Sequence, residues 1–311
     1  MRIAVLSDTR VPSLPYGGHG LARVAIDYAA GFVRFGHDVT LYAGPGSKAP
    51  AGVTLVEHAD ELERVGLLDA GAADVWLDLS HYHVLSRRKE LKQVHYICDD
   101  ECLHEPHNAV VGAAFRKRMW PAARVVPLGI DVDAIPLGSG GDHLLFVAKV
   151  ERRKGPDLAV DVAKDARRAL HVYGELFTND APPDGYKGVI NDNGELYRVL
   201  GGGYAFLAPY RDDAGGRVLL EAQAAGTPVL TFSDVGSSAH VGHAVSGFVV
   251  RDPAEMVEAL ADVPYLKRTD ARAWVADNHG MNVMIGGMLE LLHEAADGGD
   301  RKSVVLGKSV G

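Results

Sequence analysis

The chain opens on a short apolar run, RIAVLS over residues 2–7, closed by Asp8. A run this short, apolar at successive positions and not at alternate ones, predicts a strand covered on both faces, as in a parallel sheet. A loop follows. From Leu21 to Phe35 the apolar positions recur at helical spacing: Leu21, Val24, Ala25, Tyr28, Ala29 and Phe32. HDVTLYAG, from His37, reads as the next strand. Strand, helix and strand in this order make a βαβ unit, which needs a right-handed crossover and a parallel sheet. Further strands are predicted at 53–58, 74–79, 93–97 and 123–129.

The Pro/Gly/Ser-rich stretch PLGSGGD, residues 136–142, separates two apolar runs and predicts a linker. The alternation then restarts. HLLFVAK, ALHVYGE, KGVI, YAFLAPY, PVLTF and GFVV read as strands; PDLAVDVAKDAR, NGELYRVL, GRVLLEAQAAG and PAEMVEALADV read as helices. The expected class is therefore α/β, with two Rossmann-like, doubly wound parallel-sheet domains in tandem. Their expected bounds are 1–136 and 143–270. Helices follow over 271–296, with a return onto the first domain as the expectation, and 297–311 forms a tail. The GKS of that tail lacks the upstream glycine of a phosphate-binding loop and reads as loose terminus.

Composition narrows the function classes. An apolar share of 47% is enough for a sizeable core and argues against disorder. A net charge of −9 argues against general nucleic-acid or anionic-membrane binding, though not against a local basic pocket. The two cysteines, Cys98 and Cys102, have neither redox CxxC spacing nor a second pair to complete a zinc site, and read as ordinary thiols. No apolar stretch reaches membrane-spanning length, and the first residues lack the regions of a signal peptide, so a cytoplasmic location is expected.

Four stretches carry candidate chemistry. In YGGHGLARV, Gly17 and Gly18 precede a helix, where backbone amides can approach a phosphate; a plain flexible turn is the alternative. In FVAKVERRKGPDL, Lys149 closes a strand and Lys154 follows before a helix, a position suited to a diphosphate, against the alternative of a solvated basic turn. In DDAGGRVLLEAQAAG, Gly215 and Gly216 free the backbone at a helix start, and the amides of Gly216, Arg217 and Val218 can hold phosphate. Asp213 precedes this helix. Glu221, about one and a half turns in, can accept hydrogen bonds from a sugar diol or can pair with a neighbouring arginine. His81 and His83 follow a strand, and the expectation is one site-facing and one structural histidine, with no metal. His240 and His243 either line the cleft or are exposed.

Taken together, these stretches resemble glycosyltransferase family 4, the retaining, nucleotide-sugar-dependent enzymes of the GT-B fold. The likeness runs through YGGHG…FGHDVTLYAG, VVPLGIDVD, FVAKVERRKGPDL, the acid–x7–acid pair Asp213 and Glu221 with EAQAAGTPV, and VSGFVV with the helix after it. It implies a donor sugar near Asp213, a nucleotide ribose on Glu221, and a donor diphosphate held by Lys149, Lys154, Gly17, Gly18 and the amides from Gly216 onward. Two departures stand out. Asp213 is one methylene shorter than the family's glutamate, and Cys98 or Asp99 stands where a histidine is common, so that either His81 or His83 supplies that function or nothing does.

The resemblance implies transfer of a sugar from a nucleoside diphosphate to an acceptor hydroxyl with retention, by a soluble enzyme with small-molecule donor and acceptor. It implies no bound cofactor, no nucleic-acid or integral-membrane partner, and leaves the oligomeric state open. Antibiotic tailoring is the expected setting, with polysaccharide assembly as competitor. A GT-B epimerase or phosphorylase, or a non-catalytic sugar-nucleotide-binding protein, are the alternatives.

Overall fold

The computed structural model describes residues 1–8, 11–14, 20–58, 68–80, 83–97, 108–113, 118–177, 181–212 and 216–298. Among these, thirteen strands form two all-parallel sheets. The first holds β1 (Arg2–Leu6), β2 (Asp38–Ala43), β3 (Val53–Glu57), β4 (Val75–Asp78), β5 (Gln93–Ile97), β6 (Ala109–Val111) and β7 (Arg124–Val125), in the order β3-β2-β1-β4-β5-β6-β7. The second holds β8 (Leu144–Val147), β9 (Leu170–Tyr173), β10 (Tyr186–Gly188), β11 (Ala205–Ala208), β12 (Val229–Phe232) and β13 (Gly247–Val250), in the order β10-β9-β8-β11-β12-β13. Both are doubly wound orders. The chain reverses its direction of travel between β1 and β4 in one sheet, and between β8 and β11 in the other.

The short apolar runs form central strands because both faces are covered. In β1, Ile3 and Val5 join Leu21, Tyr28 and Phe32 of α1 (Gly20–Arg34) in the main core. Ala4 and Leu6 turn the other way, into a smaller cluster with Tyr42, Trp76 and Leu85. The second sheet is flanked by α2 (Pro156–Asp165), α3 (Asn193–Gly201), α4 (Arg217–Ala224) and α5 (Pro253–Ala259). Helix α6 (Arg268–His279) packs on α4, whereas α7 (Met281–Ala296) packs on α1, β4 and β5 of the first sheet. Gly31 of α1 allows this approach: a β-carbon there would lie 2.3 Å from the Ile285 side chain. No helix among the described residues is long and apolar enough to cross a membrane.

The strands differ from the sequence reading at three places. β6, only three residues long, was not anticipated. The strand expected over 123–129 pairs only at Arg124 and Val125; the Val126 amide still donates to the Val111 carbonyl, and Pro127 after it has no N–H to continue the ladder. The strand expected at KGVI begins one residue earlier and stops at Gly188, whose φ of 109° turns the chain out of the sheet.

The stretch read as a linker is pinned to the second domain. Gly138 N–H donates to the Ala225 carbonyl at 3.0 Å, and Gly140 N–H to that of Gly201 at 3.0 Å. The Arg268 guanidinium donates to the carbonyls of Gly138, Gly201, Gly203 and Ala225. The Arg272 guanidinium donates to those of Val132, Ile135 and Ala224. Two arginines from α6 thus satisfy backbone oxygens that a loose tether would leave to water. Glycine serves here for proximity as well as for bending, since a β-carbon on Gly138 would sit 2.2 Å from the Gly201 carbonyl oxygen. Gly138→Ala should therefore cost about 1–3 kcal/mol of stability, read as a lower urea midpoint at unchanged m-value.

Candidate functional site

The switch point of the second sheet, between β8 and β11, brings together the two loops richest in candidate residues. Lys149 follows β8 and is exposed, its ammonium 4.6 Å from the centre of the Phe177 ring. Lys154 ends the short turn Arg152–Lys154, its ammonium 4.6 Å from the centre of the Tyr210 ring. Gly155 comes next with φ 67°, and a β-carbon there would lie 2.2 Å from the Pro209 carbonyl oxygen. The glycine of the KG pair thus lets the β8 loop press against the β11 loop. Arg211 seals the junction. Its amide donates to the Arg153 carbonyl at 2.8 Å, and its guanidinium donates to the Arg152 carbonyl and to both carboxylate oxygens of Asp157. Asp213 and Gly215 lie outside the described residues. Gly216 is buried at the start of α4, with Arg217 and Val218 in the first turn.

Glu221 is almost wholly buried, its side chain 2% exposed, and it meets two guanidinium groups. Arg217, one turn earlier on α4, donates to its Oε1 at 3.0 Å. Arg23, from α1 of the first domain, donates to the same oxygen at 3.1 Å. Arg217 also donates to Asp27 of α1. The geometry follows from helical spacing. Arg23 and Asp27 share one face of α1, and Arg217 and Glu221 share one face of α4, each pair four residues apart. The contact is crossed: the earlier residue of one helix meets the later residue of the other. Two cations balance two anions, which is what lets the charges be buried. Burial opposes the charge on Arg217, but the carboxylates of Asp27 and Glu221 outweigh it and raise its pKa. Tyr197 of α3 is pushed up by burial and by the nearby Glu221. Tyr197 also lines an open cavity of about 770 Å³, with Pro136, Ser139 and Arg198.

A second buried group stands at the switch point of the first sheet. Asp78 ends β4, in register with Leu6 of β1 and His95 of β5. Its Oδ1 accepts from the amide and hydroxyl of Ser80, at 2.8 and 2.6 Å. Its Oδ2 accepts from the Leu85 amide at 3.0 Å and lies 3.3 Å from His95 Nδ1. Burial alone would raise this carboxyl; His95, the charge at His83 and the Ser80 hydroxyl outweigh it and hold it at about 2. His83 is buried, with φ 45°, its ring edge-on to that of His95. Donor atoms of Asp78, His83 and His95 lie within 4.8 Å of one another, a spacing that suits a metal ion. Both carboxylate oxygens are already committed to the chain, however, and the arrangement fits a carboxylate that pins the loop after β4. Gly17, Gly18 and His81 lie outside the described residues.

The reading of His240 as cleft-lining or exposed is overturned. Its ring is buried against that of His279, at 5.0 Å between centres, and burial together with His279 lowers its pKa to about 3. His243 is exposed. Three further residues went unremarked in the sequence: Arg23, Asp27 and Asp78. The first two carried a signal, an i, i+4 charge pair breaking into the apolar pattern of the helix after a Gly-rich loop.

Residues 141–263 match the family described as Glycosyl transferases group 1. The chain is 30% identical over 166 residues to the D-inositol 3-phosphate glycosyltransferase of Frankia alni, a stretch covering 45% of the chain and 39% of that relative. The chain thus spans about two fifths of the length of that relative. Most of the chain superimposes on solved structures. AviGT4, a glycosyltransferase involved in avilamycin A biosynthesis, aligns with a TM-score of 0.75 at 20% identity, over 96% of the chain and 98% of AviGT4. Anabaena Alr3699/HepE, solved with UDP and glucose, aligns at 0.67 and 13% identity, over 94% and 100%. The fold is α/β GT-B. In this GT-B frame Lys149 follows β8 and Asp78 ends β4, at the switch points of the two sheets.

The acid dependence of the first-domain site has a definite sign. Asp78 titrates near 2 when folded, below its ordinary 3.8. Its contribution to stability is present above pH 3.8 and is lost as pH falls through 2. Asp78→Asn should remove roughly 2 kcal/mol at neutral pH and flatten the stability profile between about pH 4 and 2, measured by urea unfolding across that range.

Proposed function

We propose that the chain is a retaining glycosyltransferase that moves a sugar from a nucleoside diphosphate to an acceptor hydroxyl. The observation that carries this reading is the buried Glu221 carboxylate on α4, the helix that follows the switch-point strand β11. The group 1 match over 141–263 covers that strand, that helix and both lysines. An open doubly wound sheet binds its ligand in the crevice outside these strand ends.

In this reading the Glu221 carboxylate accepts from the ribose hydroxyls. Lys149, Lys154 and the amides of Gly216, Arg217 and Val218 take the charge that grows on the departing diphosphate. Gly17 and Gly18 supply amides from the first domain, Asp213 stands near the donor sugar, and His81 or His83 serves the acceptor side. His83 is buried. The leaving phosphate itself takes the acceptor proton on the front face of the sugar, and no metal is required. Apposed domains exclude the water that would otherwise hydrolyse the donor.

The UDP and glucose bound by HepE favour a UDP-sugar as donor. AviGT4's role in avilamycin A biosynthesis favours tailoring of a specialised metabolite. A polyol acceptor is compatible with the inositol phosphate transferase likeness. A cytoplasmic setting, where donor and acceptor diffuse freely, fits this chemistry.

The test is a thermal-shift panel of UDP-, GDP-, ADP- and dTDP-sugars, followed by acceptor screening with the donor that stabilises the protein. Lys154→Ala should slow transfer about 100-fold with little loss of stability. Product anomeric configuration, read by proton NMR, should match that of the donor. Inversion, or no shift with any nucleotide, would overturn the reading.

A further inference from the structure

Glu221 has two carboxylate oxygens, and both guanidinium contacts fall on one of them. Arg217 Nε and an Arg23 terminal nitrogen donate to Oε1, at 3.0 and 3.1 Å. Two planar, fork-shaped donors on one oxygen fix the plane of the carboxylate. That leaves Oε2 to accept from something else. Arg217 is in turn fixed by Asp27. Of the three residues that orient Glu221 directly or through Arg217, two belong to α1 of the first domain.

We infer that Arg23 is a positioning residue for donor recognition: it aims Glu221 Oε2 at the ribose diol, so the ribose subsite is complete only when α1 of the first domain is engaged. This rests on the reading of Glu221 as the ribose acceptor and adds what sets its geometry. Without the first domain, Arg217 and Glu221 remain an i, i+4 pair on one helix, a pairing that holds neither rotamer firmly. With it, the carboxylate is clamped from two sides. Ribose recognition and domain apposition are then one event, since the same guanidinium that spans the cleft sets the acceptor oxygen. Arg217, the first residue of a helix start otherwise read as phosphate-binding, has its side chain committed to Asp27 and Glu221 and contributes to the donor through its backbone amide.

The inference predicts a signature that a merely structural salt bridge lacks. Affinities are measured by isothermal titration for UDP, GDP and ADP and for their 2′,3′-dideoxy counterparts, on wild type, Arg23→Met, Arg23→Lys and Glu221→Gln. Wild type should prefer the ribonucleotide by about tenfold or more, the range of a hydrogen bond to a charged group. Glu221→Gln should lose that preference. Arg23→Met should lose most of it while keeping wild-type affinity for the dideoxy nucleotide, and Arg23→Lys, which restores the charge without the fork, should recover part. Should Arg23→Met fail to fold, Arg23→Lys and Asp27→Asn carry the test, each with a reduced ribose preference. A folded Arg23 variant with the full wild-type preference would overturn the positioning role while leaving Glu221 as ribose acceptor. A wild-type protein that binds nucleotides with no ribose preference, or binds none, would overturn the Glu221 reading and this inference together.

Discussion

The structure depends on one constraint: four charges must be buried together between two domains. Arg23 and Asp27 come from one, Arg217 and Glu221 from the other, and none of the four side chains is more than 19% exposed. A lone carboxylate at 2% exposure would carry a desolvation cost of several kcal/mol. Glu221 is tolerable because two guanidinium groups reach it, and one of them crosses from the first domain. The balance makes the cluster sensitive to position. Removing one member leaves a buried charge uncompensated, and drawing the domains apart breaks both contacts between the helices, Arg23 with Glu221 and Arg217 with Asp27. The apposition of α1 and α4 is therefore a condition for Glu221 to sit where it does.

Other features hold the domains so that this apposition is cheap. Helix α7 runs back across the first sheet, and α6, which precedes it, packs on α4. The connecting segment is fastened to the second domain by Arg268 and Arg272, each donating to several backbone carbonyls. His279, at the end of α6, makes a 2.7 Å hydrogen bond with the Leu128 carbonyl of the first domain, and Ile130 bridges to Gly280. The crossing from one domain to the other is thus made twice, by the connecting segment and by the α6–α7 junction, and both strands of the crossing are hydrogen-bonded.

The sheets were legible in the sequence because parallel strands covered on both faces are written as short unbroken apolar runs. Two strand limits were misplaced for local reasons, Pro127 and the positive φ of Gly188, and β6 is too short to carry a pattern. The loop glycines were legible as glycines, but their purpose was not. Gly138 and Gly155 matter for how near another backbone comes, which no local pattern records. Glu221 stood out by its place in a helix start, and the alternative of an arginine-paired acid describes its contacts with Arg217 and Arg23. Its partner Arg23 lies 198 residues away, a separation that no periodicity spans. Asp78 was hidden as one more position in an apolar strand. His83 and His81 drew attention instead, and the carboxylate that organises their loop did not.

In the proposed function the carboxylate of Glu221 marks the ribose end of a donor site, with Lys149 and Lys154 at its diphosphate end. A crystal structure of the protein with UDP tests it most directly. The account predicts a ribose hydroxyl within hydrogen-bond distance of Glu221 Oε2, Arg23 and Arg217 still on Oε1, and the diphosphate between the lysines and the start of α4. UDP bound away from Glu221, for example in the cavity lined by Pro136, Ser139, Tyr197 and Arg198, would contradict it.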